Sequence, residues 1–362
     1  MPGFQTSPGN MITQMSDQPP QPIPEYHDVD ARTFREAILS EYRPAVLRGM
    51  VKSWPAVQAA LVSHAHIVRY LALLDSGKPV DAVLMPPQAG GRISYDDSMN
   101  GVNFVHKRLP LSGVVEQLSR YAMFDNPPSV AVQSALIPEC LPGFTAENRL
   151  PILDEAVAPR IWLGNRVTVP AHVDESNNVA CVVAGRRRFT LFPPEQVANL
   201  YVGPLDYAPT GAAMSVAQLV EPDFARFPRL KDALAAALVA ELTPGDAIFI
   251  PTLWFHHVES LDRQLNVLVN YWWNGVLGDV EGTASGTECL LHSLMNIRHM
   301  PPHLRKAWAA WFHYYVFDAT DDRFAYIPEH RRGILGKMSA EGSERIRKLL
   351  ITKLSVERGK KS

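Results

Sequence analysis

The chain has 362 residues, of which 46% are hydrophobic and 20% charged, with a formal net charge of -2. That length suits one large domain with additions, or two to three units, and the composition supports a sizeable core. The near-balanced charge gives no drive toward nucleic acid or an anionic membrane, and no apolar run reaches the roughly 18 residues of a membrane span. The three cysteines, Cys140, Cys181 and Cys289, form no CxxC pair, which argues against a thiolate zinc site or disulfide framework and fits a reducing cytoplasm.

Residues 1–25 have neither the basic nor the apolar region of a signal peptide, and their Pro, Gln, Ser and Gly content reads as a disordered lead-in. Residues 26–128 read as a mixed α/β part. "ARTFREAILSEY" places Phe34, Ile38 and Leu39 at helical spacing, and "RPAVLRG" is a short buried strand closed by Gly49. "AHIVRYLALLDSG" is a helix with a glycine stop. "ISYDDSMNGVNFVHKRLPL" is a loop or hairpin feeding a third helix, "SGVVEQLSRYAM", with Ser112 as N-cap. From 129 to 275 short runs rich in Val, Ile, Phe and Trp, punctuated by Gly, Pro and Asn, indicate a β-sandwich or barrel, interrupted by an insert over Pro194 to Leu242 that carries a helix. Residues 276–362 turn helical. Pro302 sits just inside the start of a helix bearing Trp308, Trp311, Phe312, Tyr315 and Phe317, a face that either packs on its own barrel or buries itself in a second copy as a homodimer.

Within the β-rich span, "PAHVDES" sets His172 and Asp174 on one face of a strand. Such a pair is either a salt bridge or two-thirds of a metal site. An open site for oxygen chemistry takes two histidines and one carboxylate. Of the remaining histidines, those in "TPGDAIFIPTLWFHHVESL" arrive at the end of a late strand. Alternation gives His256 the apolar companion Val258 and His257 the charged companion Glu259, so His256 is the expected ligand and His257 a surface or supporting histidine. The same rule applied to "AGRRRFTLFPP" after the Gly185 turn puts Arg187 with Phe189 and Leu191, inside, and Arg186 and Arg188 outside. A buried guanidinium calls for an anion, and its fork suits a carboxylate. Asn178 and Asn270 stand among apolar strand neighbours, either as carboxylate or water binders or as satisfied core amides.

Taken in order, "PAHVDESNN", "AGRRRFTLFPPEQVANLY", "TPGDAIFIPTLWFHHVESL" and "VLVNYWWNG" resemble the cupin-like JmjC family of Fe(II)- and 2-oxoglutarate-dependent oxygenases, particularly the asparaginyl hydroxylase that inhibits hypoxia-inducible factor and its bacterial relatives. "RPAVLRGMVKSWPAV" is similar to that family's entry segment, and the helical tail to its dimerisation helices. The resemblance implies a double-stranded β-helix, a jelly-roll of cupin type, with helical additions. It implies iron held by His172, Asp174 and His256, and 2-oxoglutarate held by a pocket that includes Arg187, Asn178 and Asn270. A peptide side chain, a modified RNA base and a small metabolite all fit such a barrel; the balanced charge favours a protein or small-molecule substrate over nucleic acid, and no membrane partner is expected. Three positions depart: Arg187 replaces the family's usual lysine, Val169 stands where a threonine is common, leaving Thr168 one residue back as the candidate, and Ala131 falls where some members have a tyrosine. Two other readings share the barrel: a metal-binding cupin with non-oxidative chemistry, and a catalytically silent binding protein.

Overall fold

The computed structural model describes residues 20–273, 286–320, 322–336 and 339–355. Two compact units divide the chain, residues 1–285 and 286–362. The expected boundary at 275/276 falls among residues outside the described ones, as do residues 1–19 of the expected lead-in.

Fourteen strands appear among the described residues of the first unit: β1 (Gln21–Pro22), β2 (Glu25–His27), β3 (Ala45–Arg48), β4 (Pro79–Met85), β5 (Val105–Pro110), β6 (Ser129–Leu136), β7 (Pro159–Gly164), β8 (Thr168–His172), β9 (Asn177–Ala184), β10 (Arg187–Phe192), β11 (Leu238–Leu242), β12 (Ala247–Ile250), β13 (Phe255–Ser260) and β14 (Asn266–Trp273). One sheet runs β1-β11-β10-β13-β8 and the other β2-β3-β12-β9-β14-β7-β6-β4-β5. Strands β7 to β14 therefore interleave as two facing four-stranded layers, β12-β9-β14-β7 and β11-β10-β13-β8. This is the double-stranded β-helix, with the other strands extending its edges.

The larger sheet is covered on both faces. Ala180, Val182, Ile248 and Leu268 pack inside the barrel against Phe189, Leu191 and Val258 of the smaller sheet. Val179, Cys181, Val183, Phe249 and Val269 pack outward against Phe34, Ile67, Leu71 and Val115 of the N-terminal part. Burial on two sides explains why "NNVACVVA", "AIFI" and "NVLVNYWW" read as continuous apolar runs instead of alternating ones. The N-terminal part and the barrel thus share one core.

Glycine is required at two turns. A side chain at Gly185, φ +73°, would meet Asn266 Oδ1 at 2.3 Å, and one at Gly245, φ +103°, would meet the Lys52 backbone at 3.1 Å. Asp246 of that second turn receives Arg48 Nη1 at 2.8 Å and the backbone N–H groups of Gly49 and Thr243 at 3.0 Å, which ties the start of β12 to β3.

Several local expectations change. Gln21–Pro22, within the expected lead-in, pairs in parallel with Leu238–Val239 at the sheet edge, where a proline costs no ladder bond. Ser112 is not a helix cap. The helix begins at Leu111, and the Ser112 N–H is satisfied across space by Asp75 Oδ2 at 2.8 Å. The insert after Pro194 ends at Ala237, because Leu238–Leu242 is a barrel strand; only Leu230–Ala235 of "DALAAALVAEL" and its approach is helical.

In the second unit, helices span Gly286–Asn296, Pro302–Phe312 and Ala340–Ser355, with a wider turn at His313–Phe317. Leu304, Trp308, Trp311 and Tyr315 are exposed. No described helix is long and apolar enough to cross a membrane.

Candidate metal centre and co-substrate pocket

Strands β8 and β13 pair antiparallel, with His172 opposite His256. Their rings stand 4.1 Å apart, and ligand atoms of His172, Asp174 and His256 all lie within 4.8 Å of one another. This is the one such His/Cys/Asp/Glu cluster among the described residues. Asp174 Oδ2 is 3.5 Å from His256 Nε2.

Each histidine is fixed through its other nitrogen. His172 Nδ1 bonds to Pro170 O at 2.8 Å and His256 Nδ1 to Trp254 O at 3.1 Å. A carbonyl accepts only from N–H, so both rings carry a proton on Nδ1 and turn Nε2 toward the centre. Burial, helped by the adjacent His256, pushes the His172 pKa down to about 4. Burial alone would raise Asp174, but the hydrogen bond and charge of His256, then the charge of His172, hold it below its ordinary value. Two neutral imidazoles and one carboxylate is a donor set for a divalent transition metal with positions left open.

The spacing of the ladder on β8 is irregular. His256 faces His172, yet Val258 faces Val169, so β8 carries one extra residue at Pro170–Ala171. Pro170 has no N–H to give the ladder, and a bulge is where a strand tolerates that. The bulge reverses the facing of everything before it. Val169 therefore packs toward the barrel interior, and Thr168 pairs with Glu259 on the outer side. Thr168 lines a hollow of about 40 Å³ with Pro170, Ser215 and His257, and so stands apart from the pocket expected to hold it.

Inside the barrel, Arg187 is opposite Ser260 on β13, four residues and about 13 Å of strand from His256. Its side chain is buried, its Nε has no partner among the described residues, and burial pushes its pKa down to about 10. Asn178 is buried with its Oδ1 unpartnered, beside Trp272 in the β9–β14 ladder. Asn270 is buried on the same inner face and accepts from Trp162 Nε1 at 2.9 Å. The structure thus brings together His172, Asp174 and His256, and places Arg187, Asn178 and Asn270 at separate positions on the barrel's inner face. Ala131 lies in an apolar wall with Val83, Met85, Ile93, Phe104 and Val167. A buried guanidinium whose Nε lacks a partner fits an anion, as a carboxylate is, while the free Oδ1 of Asn178 calls for a donor.

The outer face differs. Arg188 bonds Glu241 at 2.6 Å and lies 3.8 Å from Glu259; Arg186 bonds Asp262 at 3.0 Å. His257, expected as a surface or supporting histidine, is 3% exposed and borders a hollow that Gln218–Val220 also line, which leaves the supporting role. Burial, then the charges of His172 and Arg188, push its pKa down to about 3. No local signal in "HHVES" announces that burial, which depends on a distant segment.

At the rim of the metal end, the turn between β12 and β13 was not singled out by sequence. Leu253 has φ +64° and is 46% exposed. Its N–H donates to the carbonyl of Asp174 at 3.0 Å. Thr252 N and Oγ1 bond Asn177 Oδ1 at 3.1 and 3.2 Å, and the Tyr42 hydroxyl donates to Thr252 O. A left-handed conformation costs a non-glycine residue about 1–2 kcal/mol.

A model of the cupin-like domain matches residues 31–278, which include every site residue above. The chain belongs to the cupin-like domain family. Within it, the chain is 28% identical over 287 residues to the human bifunctional peptidase and (3S)-lysyl hydroxylase JMJD7, covering 71% of this chain and 83% of that protein. It is 25% identical over 258 residues to lysine-specific demethylase 8 of Xenopus tropicalis, covering 70% of this chain and 53% of that protein. A third relative, human HSPB1-associated protein 1, is 36% identical over 114 residues, 31% of this chain and 22% of that protein. These are JmjC-type relatives, so the cupin-like chain sits with the JmjC oxygenases, enzymes that use Fe(II) and 2-oxoglutarate. The residues fit that cofactor pair: the triad offers the donors and Arg187 the cation.

Proposed function

We propose that the protein is an Fe(II)- and 2-oxoglutarate-dependent hydroxylase acting on a C–H bond of a protein side chain, with lysine as the first residue to try. One observation carries the reading: a three-ligand metal site and a buried guanidinium with an unpartnered Nε open into the same barrel. Bound iron and 2-oxo acid would supply dioxygen activation and the oxidising equivalents. The chain's own residues do the rest. His172, Asp174 and His256 hold the metal from one side. Arg187 binds the far carboxylate, Asn178 offers its amide at the start of β9, beside Trp272 and away from Arg187, and Trp162 fixes the amide of Asn270. Phe189, Leu191, Ile248 and Val258 keep the interior dry, which strengthens the Arg187 contact. Lysine is favoured over asparagine because two relatives carry lysine in their names. The nearly neutral charge supports a protein over a nucleic acid substrate, and three free cysteines support a reducing, cytoplasmic setting.

The test is Fe(II)-dependent conversion of 2-oxoglutarate to succinate by the purified protein. A non-oxidative cupin would bind metal and form no succinate; a silent barrel would bind neither.

The second unit supports self-association. Leu304, Trp308, Trp311 and Tyr315 follow a 4-3-4 spacing, the seam of paired helices, and all are exposed. Antiparallel pairing with a second copy, centred near Trp311, would bring Arg305 and Lys306 of one copy toward Asp318 of the other and oppose the helix dipoles.

A further inference from the structure

Resting on the hydroxylase reading, we propose that Leu253 is the residue that selects the substrate, by packing against an apolar side chain that flanks the oxidised residue of a polypeptide. Leu253 links two of the three metal ligands. Its amide holds the Asp174 carbonyl at 3.0 Å, and three residues later comes His256. A side chain here therefore stands at the edge of the reaction centre.

The position is an unfavourable one for leucine. Its φ of +64° suits glycine or asparagine, and its 46% exposure leaves an isobutyl group in water. The fold does not need that side chain. The turn is held by other groups: Asn177 on Thr252, the Tyr42 hydroxyl on the Thr252 carbonyl, and the Leu253 backbone itself. Leu253 belongs to none of the buried clusters, whereas its neighbour Trp254 is in the barrel core. A bulky apolar residue kept in a strained conformation, in water, beside a metal ligand indicates a use in binding, since strain of this kind persists where function holds it. Contact with an apolar group would recover the exposed area and would act on specificity more than on the metal. The carbonyl of Thr252 is already occupied by Tyr42, so the turn offers this contact mainly through the leucine side chain.

The experiment uses the full chain with Fe(II) and 2-oxoglutarate and two random peptide pools, one with leucine and one with aspartate at the positions flanking a randomised centre. Hydroxylated peptides are read by mass. The expected result is at least about a tenfold preference of the wild type for the leucine pool. Leu253→Lys, which keeps a long side chain in the same backbone conformation, shifts that preference toward the aspartate pool. Leu253→Gly loses the preference and melts no lower than the wild type, because it relieves the strain. An unchanged preference in both variants overturns the proposal, as does a marked fall in melting temperature for Leu253→Gly, which would make the side chain structural. Succinate formation with no hydroxylation in either pool also overturns it, leaving the hydroxylase reading intact. Absence of succinate altogether refutes that reading instead.

Discussion

Strands β10 and β13 carry duplicated residues, Arg187 with Arg188 and His256 with His257, and the two members of each pair lead opposite lives. Arg188, on the outer face, meets Glu241 and Glu259, while Arg187, one residue away, is buried among apolar side chains with its Nε unpartnered. His257 is buried with neither ring nitrogen hydrogen-bonded and Glu259 3.9 Å from Nε2, while His256 gives Nδ1 to the Trp254 carbonyl and turns Nε2 toward Asp174. Identical side chains thus meet different surroundings according to which side of one sheet they face. What distinguishes the inner set is its place: His256 faces His172 and Asp174, and Arg187 lies on the same inner face of the barrel.

The comparison breaks most sharply at the metal. His172→Ala, Asp174→Ala or His256→Ala should lower Fe(II) affinity by more than about a hundredfold, since loss of a group that merely orients a ligand reaches that range. His257→Ala should leave the affinity close to wild type. Equal losses in all four, by calorimetry or iron quantification, would mean the two faces are not distinct.

Next comes the anion. Arg187→Ala should raise the apparent constant for 2-oxoglutarate by roughly ten- to a few hundred-fold, the range of a charged hydrogen bond lost from a buried site. Arg187→Lys should recover part of it. Arg186→Ala and Arg188→Ala should change it little, although Arg188→Ala strips Glu259 of a counter-charge and should lower the melting temperature. Titration of 2-oxoglutarate against succinate formation decides between Arg187 and Arg188.

A smaller effect separates the two units. Light scattering at micromolar concentration should give twice the chain mass, and Trp308→Asp with Trp311→Asp should give the mass of a monomer. A wild-type monomer would refute the pairing.

The finest probe is pH. His172 and His257 have folded pKa values pushed down, to about 4 and about 3, from an ordinary value near 6.5. Protons therefore bind the unfolded chain first. The metal-free protein should be most stable above pH 6.5 and lose stability as pH falls from there toward 3. His257→Gln should flatten that slope in urea titrations at successive pH values; an unchanged slope would show that the outer histidine is not held neutral.

Much of this site is legible in the sequence because the period of a strand is two. Alternation alone separates Arg187 from its neighbours and His256 from His257. Thr168 entered through the resemblance, one residue back from Val169, and the register slip at Pro170 puts it on the outer face. A proline inside a strand was the visible warning. At His257 alternation gives the face and leaves its burial open, since that depends on Gln218–Val220, a distant segment lining the same hollow. The barrel itself was readable from short apolar runs, but the membership of Leu238–Leu242 was not. Its "LVAEL" continues a helix-forming alanine run, and only pairing with β10 fixes it as a strand.

The interleaving of β7 to β14 also sets an order of events during synthesis. His172 and His256 are cross-strand neighbours contributed by distant parts of the chain, and Arg187 meets its β13 partner only when that late strand arrives. Such non-local pairings form slowly, after the entropy of large loops has been overcome. A nascent chain therefore cannot assemble the three-ligand centre before β13 has emerged and closed the small sheet. Loading of the centre becomes a report that the last strands are in register.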